Sequence, residues 1–305
     1  MTTTALLAAG SYSRSGTGRG PGLELLGLSL EDGAAPAVER LAAVDLPDPS
    51  FVIWSPDGTL LHAVLEGDPT RVVAVRVSAD GREAEVLGEL ALDGHGGCHL
   101  RRGTDPSTLI VAQYGAGSVV TVRLDADGIP VEQIDLAGEI PLSRGSGPRH
   151  LAADHESEQL HISCERSGMV ATATRSEVLA QQGLPSALNT PTHRWAVRSM
   201  IPASEHEGSN ALSHIELTAD ESALLVANRG PDTLSILSLT PMRPQRVAEI
   251  AVGAHPRHFT QLGDLVLVAA QEGDRIDVLR RRGEELARAG APIPAPSVSC
   301  VAVRP

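Results

Sequence analysis

The stretch GPRHLAADHESEQLHISCERSG, Gly147 to Gly168, decides the fold. It reads as a short strand, a polar turn and a second strand that ends in a charged residue. The same plan recurs as PSFVIWSPDGTLLHAVLEG from Pro49, GGCHLRRGTDPSTLIVAQYG from Gly96, LSHIELTADESALLVANRG from Leu212 and HPRHFTQLGDLVLVAAQEG from His255. In register, one column reads Phe51, His99, His150, His214, His258, and the position before it reads Ser50, Cys98, Arg149, Ser213, Arg257. The column at the end of the second strand reads Glu66, Tyr114, Glu165, Arg229, Gln271. Apolar positions recur because a fold needs them; ionisable residues recurring once per repeat point to a shared surface.

Further strands follow most pairs: TRVVAVRVSADG after Glu66, GSVVTVRLDADG after Tyr114, DTLSILSLTP after Arg229 and DRIDVLRRRG after Gln271. Their apolar–polar alternation is that of half-buried antiparallel strands. The first column recurs at spacings of 48, 51, 64 and 44 residues, counted from Phe51 through His99, His150 and His214 to His258. Four strands at such a period are the signature of propeller blades. Residues 5–33 look like a blade without its first strand, and PSVSCVAV from Pro296 like a first strand without the rest. Joined, they extend the columns with Cys300 and Tyr12 and remove an open sheet edge. The expectation is one all-β domain over 1–305, a β-propeller of four-stranded antiparallel blades closed by strands from both termini. Six blades are favoured, with seven as the alternative; residues 296–303 complete the N-terminal blade, and the wide 64-residue spacing holds a loop insertion near 176–208. In such a blade the innermost strand begins on the face where the second strand ends, so the three columns converge on one mouth of the central channel. Concave places with few polar groups are the usual small-ligand sites.

Composition narrows the chemistry. The formal net charge of -13 disfavours nucleic acid and anionic membranes as partners. All 25 basic residues are arginine, which excludes Schiff-base, P-loop and Ser-Lys chemistry. An anionic substrate would be held by arginine forks. Cys98, Cys164 and Cys300 have no metal-type spacing and read as buried thiols of a cytoplasmic protein. The N-terminus MTTTALLAAGSYSR lacks a basic leader region, and no apolar run approaches membrane-spanning length. Only six aromatic residues occur, too few for a stacking platform for sugars or single-stranded nucleic acid. SRSGTGRGPG, residues 13–22, lacks the lysine and helix of a phosphate loop, and RRRGEEL from Arg280 is a solvated hairpin end. No GxSxG, HExxH or EF-hand pattern is present.

The segments SPDGTLLHAVLEG, AQYGAGSV, GSGPRHLA with Cys164-Glu165, VANRGPDTLSIL and PSVSCVAV together resemble the β-propeller lactonases, the family of bacterial 6-phosphogluconolactonases and carboxymuconate-lactonizing enzymes. The likeness covers most of the chain. It implies an active site at one channel mouth, with an arginine from GPRH, a glutamate ending the paired strand and an arginine from NRG: here Arg149, Glu165 and Arg229. One departure stands out. The family carries a further blade with an HPHS-type motif before GPRH, and this chain has none. Either that blade is deleted, or residues 145–175 merge the two and His150 takes the histidine's role.

The resulting expectation is a lactonase-like hydrolase of a small anionic lactone of the 6-phosphogluconolactone type, without metal or cofactor. Glu165 would be base or proton shuttle and Arg149 with Arg229 the anion and oxyanion clamp, with His150 or His99 as proton partner. Glu66, His99, Tyr114, His214, Arg257, His258 and Gln271 would contact substrate. Alternatives are a carboxymuconate cyclase-like cycloisomerase and a non-catalytic propeller binding a metabolite or protein on the same face. The arginine–glutamate triad could equally be an ion-pair network joining blades. The histidines could lock neighbouring blades by hydrogen bonds, or hold a metal on the axis.

Overall fold

The computed structural model describes residues 2–305 except 17, 32–34, 104, 117, 136–139, 141, 157, 179–191 and 241–243. Among the described residues there is no helix, and six antiparallel sheets form the blades of a propeller. The first blade is β25 (Val298–Val303), β1 (Thr2–Ser11), β2 (Leu23–Glu31) and β3 (Ala37–Val44), so strands from both ends of the chain share one sheet. The second is β4 (Pro49–Trp54), β5 (Leu60–Leu65), β6 (Arg71–Val77) and β7 (Ala84–Ala91). The third is β8 (Gly97–Arg102), β9 (Thr108–Gln113), β10 (Ser118–Leu124) and β11 (Pro130–Asp135). The fourth is β12 (Pro148–Ala153), β13 (Gln159–Cys164), β14 (Met169–Val178) and β15 (Thr192–Pro202). The fifth is β16 (Ala211–Leu217), β17 (Ala223–Arg229), β18 (Thr233–Ser238) and β19 (Gln245–Ala251). The sixth is β20 (Pro256–Leu262), β21 (Leu265–Ala270), β22 (Arg275–Arg282) and β23 (Glu285–Arg288), with β24 (Ile293–Pro294) also on β22.

Burial differs between second and outermost strands. Strands β17 and β21 are buried at every residue, whereas the outermost β7 is largely exposed. A second strand has a blade packed on each of its faces, so it reads as a continuous apolar run; an outer strand alternates. The hairpins are set locally. In SPDGT, Ser55 Oγ donates to Asp57 Oδ1 (2.5 Å), whose same oxygen accepts from Thr59 N (3.1 Å), while Gly58 takes a φ of 67°. Thr218, Asp220 and Ser222 repeat this device.

Two features join the ring. Serines of the innermost strands donate to carbonyls of the next blade: Ser299 to Pro49 (2.7 Å), Ser50 to Gly97 (2.8 Å) and Ser213 to Pro256 (2.6 Å). Every innermost strand also carries one extra residue against its partner. Pairing jumps across Ser50, Cys98, Arg149, Arg257 and Ser299, and within Leu212–Ile215. A bulge of this kind re-aims a side chain.

The expected insertion near 176–208 needs correction at its ends. Residues 176–178 and 192–202 are strand, paired from Val178↔Thr192 to Met169↔Pro202 in one long hairpin. The expected insertion loop at 179–191 lies outside the described residues.

Candidate active site at one mouth of the channel

The bulge column is where the mouth is built. Three of its six positions are serines that stitch blades together, and two are arginines, Arg149 and Arg257. Pairing of Pro148 with Cys164 and of Ala211 with Arg229 puts the starts of β12 and β16 beside the ends of β13 and β17. Glu165 consequently lies between two guanidinium groups. Arg149 Nε is 3.3 Å from its Oε2, and Arg229 Nη2 is 2.7 Å from its Oε1. The arginine side chains are 3% and 7% exposed and the carboxylate 19%, so the carboxylate is the member of the triad that meets solvent. Arg229 also donates from Nε to Ala211 O and from Nη2 to Leu212 O, both at 3.1 Å, and from Nη1 to His255 Nε2 at 3.4 Å. Burial and the Arg149 charge bring its pKa down to about 10, which leaves it cationic at neutral pH. Burial, then the charges of Arg229 and Arg257, lowers His255 to about 4, so it is neutral there.

A second charged group faces the same mouth. Arg257 Nη2 donates to Glu66 Oε2 (2.9 Å) and Nη1 to Gln271 Oε1 (3.3 Å). The Tyr12 hydroxyl donates to the same Glu66 oxygen, and its ring lies under the Arg257 guanidinium at 4.8 Å. Burial pushes the Tyr12 phenol up, so it remains a donor. Burial opposes the Arg257 charge, but Tyr12 and Glu66 hold its pKa above the ordinary value. Tyr114 is exposed, and its hydroxyl accepts from Arg166 Nε (3.0 Å). A cleft of about 430 Å³ opens beside the triad, lined by Glu165, Ser167, Met169, His206, Asn210 and Ala211. A larger groove of about 570 Å³ lies elsewhere, between Leu6, Leu28, Leu41 and Asp80. Its other carboxylate, Glu39, is paired with Arg82, so it offers no comparable constellation.

The histidine column sits deeper than a mouth lining. Phe51, His99, His150, His214, His258 and Cys300 are each at most 6% exposed and plug the axis. His99 stacks on His150 with centroids at 4.5 Å, His214 on His258 at 4.0 Å, and Phe51 meets four of the rings edge-on or tilted. Burial, reinforced by neighbouring rings and cations, holds His99, His150 and His258 well below the ordinary histidine pKa. His214 is lowered to about 3. Among the described residues, His150 touches the site through Arg149, whose Nη1 is 2.6 Å from His150 Nε2. Of the expected substrate contacts, Glu66, Tyr114, Arg257 and Gln271 are at the mouth, whereas His99, His214 and His258 belong to the plug.

His214, Glu216 and His258 place one potential metal-ligand atom each within 4.8 Å of one another. The two rings are nearly parallel, however, with 23° between planes, so their in-plane lone pairs do not converge. His258 Nδ1 already accepts from Val301 N at 3.4 Å. The cluster therefore suits a stacked hydrogen-bonded plug better than a cation cage.

Sequence reasoning left Glu216, His255 and Arg166 out of the site. Glu216 could have been found: it is two residues beyond His214 on the same strand and therefore on the same face.

In fold, the chain is similar to the Pseudomonas aeruginosa periplasmic gluconolactonase (TM-score 0.81, 19% identity, 99% of each chain). It is also similar to a candidate 6-phosphogluconolactonase from Bacteroides fragilis (TM-score 0.78, 18% identity, 98% of each chain). An uncharacterized protein of Staphylococcus saprophyticus is 22% identical over 260 residues, 80% of this chain and 70% of that protein. The profile of a family described as lactonase, seven-bladed β-propeller, matches residues 6–139 and 132–303. The described residues form six blades where that description has seven. Because the match runs through nearly the whole length, this chain belongs to the lactonase β-propeller family.

Proposed function

We propose that the chain is a hydrolase of a small anionic lactone, with 6-phosphogluconolactone as the type substrate. The observation that carries this reading is one partly exposed carboxylate, Glu165, held between two buried arginines at the channel mouth. A carboxylate in reach of water and flanked by fixed cations is suited to general-base attack with charge stabilisation. Glu165 takes a proton from water as the oxygen attacks the lactone carbonyl. Arg229 and Arg149 stabilise the oxyanion, and Glu165 then returns the proton to the ring oxygen as the C–O bond breaks. Arg257, with Gln271 beside it, supplies a third cation toward the substrate's anionic tail. Names of fold relatives that include gluconolactonase support the reaction class; the choice of phosphate over carboxylate belongs to this proposal alone.

The test is turnover of 6-phosphogluconolactone beside a panel of carboxylated and neutral lactones, with Arg149→Ala run in parallel. Hydrolysis of an anionic lactone that is lost in a folded Arg149→Ala chain is the expected result. A folded wild type that opens no lactone faster than buffer overturns the reading.

A further inference from the structure

A continuous hydrogen-bonded path leaves the mouth and runs along the channel axis. Arg149 binds Glu165 through Nε and reaches His150 Nε2 through Nη1 (2.6 Å). His150 Nδ1 is 2.9 Å from His214 Nδ1, and His214 Nε2 is 2.9 Å from Glu216 Oε1. The other Glu216 oxygen accepts from Gln261 Nε2 (3.0 Å). No arginine pairs with Glu216 among the described residues, so this carboxylate has the path as its principal polar partner. The titratable groups around it are His214 on its own strand, His258 on β20 and Cys300 on β25.

The path can carry hydrogens in only two ways. A guanidinium only donates, and a neutral imidazole has one N–H. If Arg149 donates to His150 Nε2, the His150 proton is on Nδ1 and points to His214 Nδ1. The His214 proton is then on Nε2 and donates to ionised Glu216. Every donor meets an acceptor. The reverse arrangement has His150 Nε2–H donating to Cys98 O (3.0 Å), His214 Nδ1–H donating to His150, and a protonated Glu216 donating to His214. It contains one proton more and deprives Arg149 Nη1 of the His150 acceptor, leaving the contact of Nε with Glu165.

We propose that Glu216 is a positioning residue of the mouth: as a carboxylate it fixes the tautomers of His214 and His150, and His150 Nε2 in turn holds the Arg149 guanidinium against Glu165. Burial raises the Glu216 pKa, which brings the two arrangements closer in free energy. The consequence for turnover rests on the lactonase reading; the tautomers and the hold on Arg149 do not.

The test is ring-nitrogen ¹⁵N NMR of the intact chain at neutral pH, with histidines assigned by single substitution. Wild type is expected to show His150 as Nδ1–H and His214 as Nε2–H; His150 as Nε2–H overturns the proposal without any variant. In Glu216→Ala, a second, Nε2–H form of His150 is expected, with hydrogen exchange at the Arg149 guanidinium about tenfold faster. If His150 stays wholly Nδ1–H there, Arg149 alone sets the tautomer and the proposal fails. Where a lactone is turned over, kcat is expected to fall about tenfold in Glu216→Ala with thermal stability retained. Unchanged kcat then refutes the role at the mouth.

Discussion

Glu165→Gln tests the mouth most directly. The substitution keeps size and one acceptor oxygen but removes the carboxylate that Arg149 and Arg229 share. Breaking a fully buried ion pair costs about 3–5 kcal/mol. Glutamine retains a hydrogen bond to one arginine, and the carboxylate is 19% exposed, so a reduced loss of about 2–4 kcal/mol is expected. With an unfolding entropy of about 2.1 cal/mol/K per residue, a chain of 305 residues shifts by roughly 1.6 °C per kcal/mol, so calorimetry at low salt should show Tm falling by about 3–6 °C. Inorganic phosphate should restore part of that loss, and more in the variant than in wild type, because the mouth has gained net positive charge. Lactone turnover should fall by about 10²–10⁴, the usual contribution of a general base. A variant that melts within about 1 °C of wild type would refute the reasoning, since two buried guanidinium groups cannot lose their counter-ion at so little cost. A stable variant with full turnover would remove Glu165 from the chemistry.

Acid should unfold the protein through its axis. His99, His150, His214 and His258 have folded pKa values below the ordinary 6.5, so the unfolded chain binds protons that the folded one refuses. Their contribution to stability is full above pH 6.5 and is lost as pH falls toward their folded values, about 3 for His214. Urea midpoints measured between pH 7.5 and 5 should show uptake of more than about four protons on unfolding near pH 5, because His62, His161 and His255 are lowered as well; uptake below about four would contradict a neutral plug. The three thiols should resist alkylation in the native state at pH 8 and react after denaturation, because burial raises Cys98, pushes Cys164 up to about 11 and Cys300 up to about 12. Removing Val298–Val303 should leave β1 as a bare inner edge, seen as aggregation or loss of the cooperative melt; a soluble, cooperatively folding truncation would mean β25 is dispensable.

The architecture was legible in the chain because a blade is a local object. Alternation, Asx turns such as Ser55-Asp57-Thr59 and continuous apolar second strands are decided within about twenty residues, and the repeat multiplies the signal. Register was legible for the same reason, and it brings Arg149, Glu165 and Arg229 to one face. The roles within a column were not legible. Ser50 and Arg149 hold equivalent positions, yet one stitches blades together and the other faces the mouth. The difference lies in which blade stands next and which carbonyl it offers. Likewise four histidines in one column look like four site residues, but six inward side chains meet on one axis and exclude water from one another, so they become a plug. Distances such as Arg257 to Glu66, from the sixth blade to the second, exist only because the ring closes. Sequence by itself determined the strands, their faces and their register, which depend on near neighbours; the tertiary structure alone decided burial, pairing and protonation, which depend on what the closed ring places opposite.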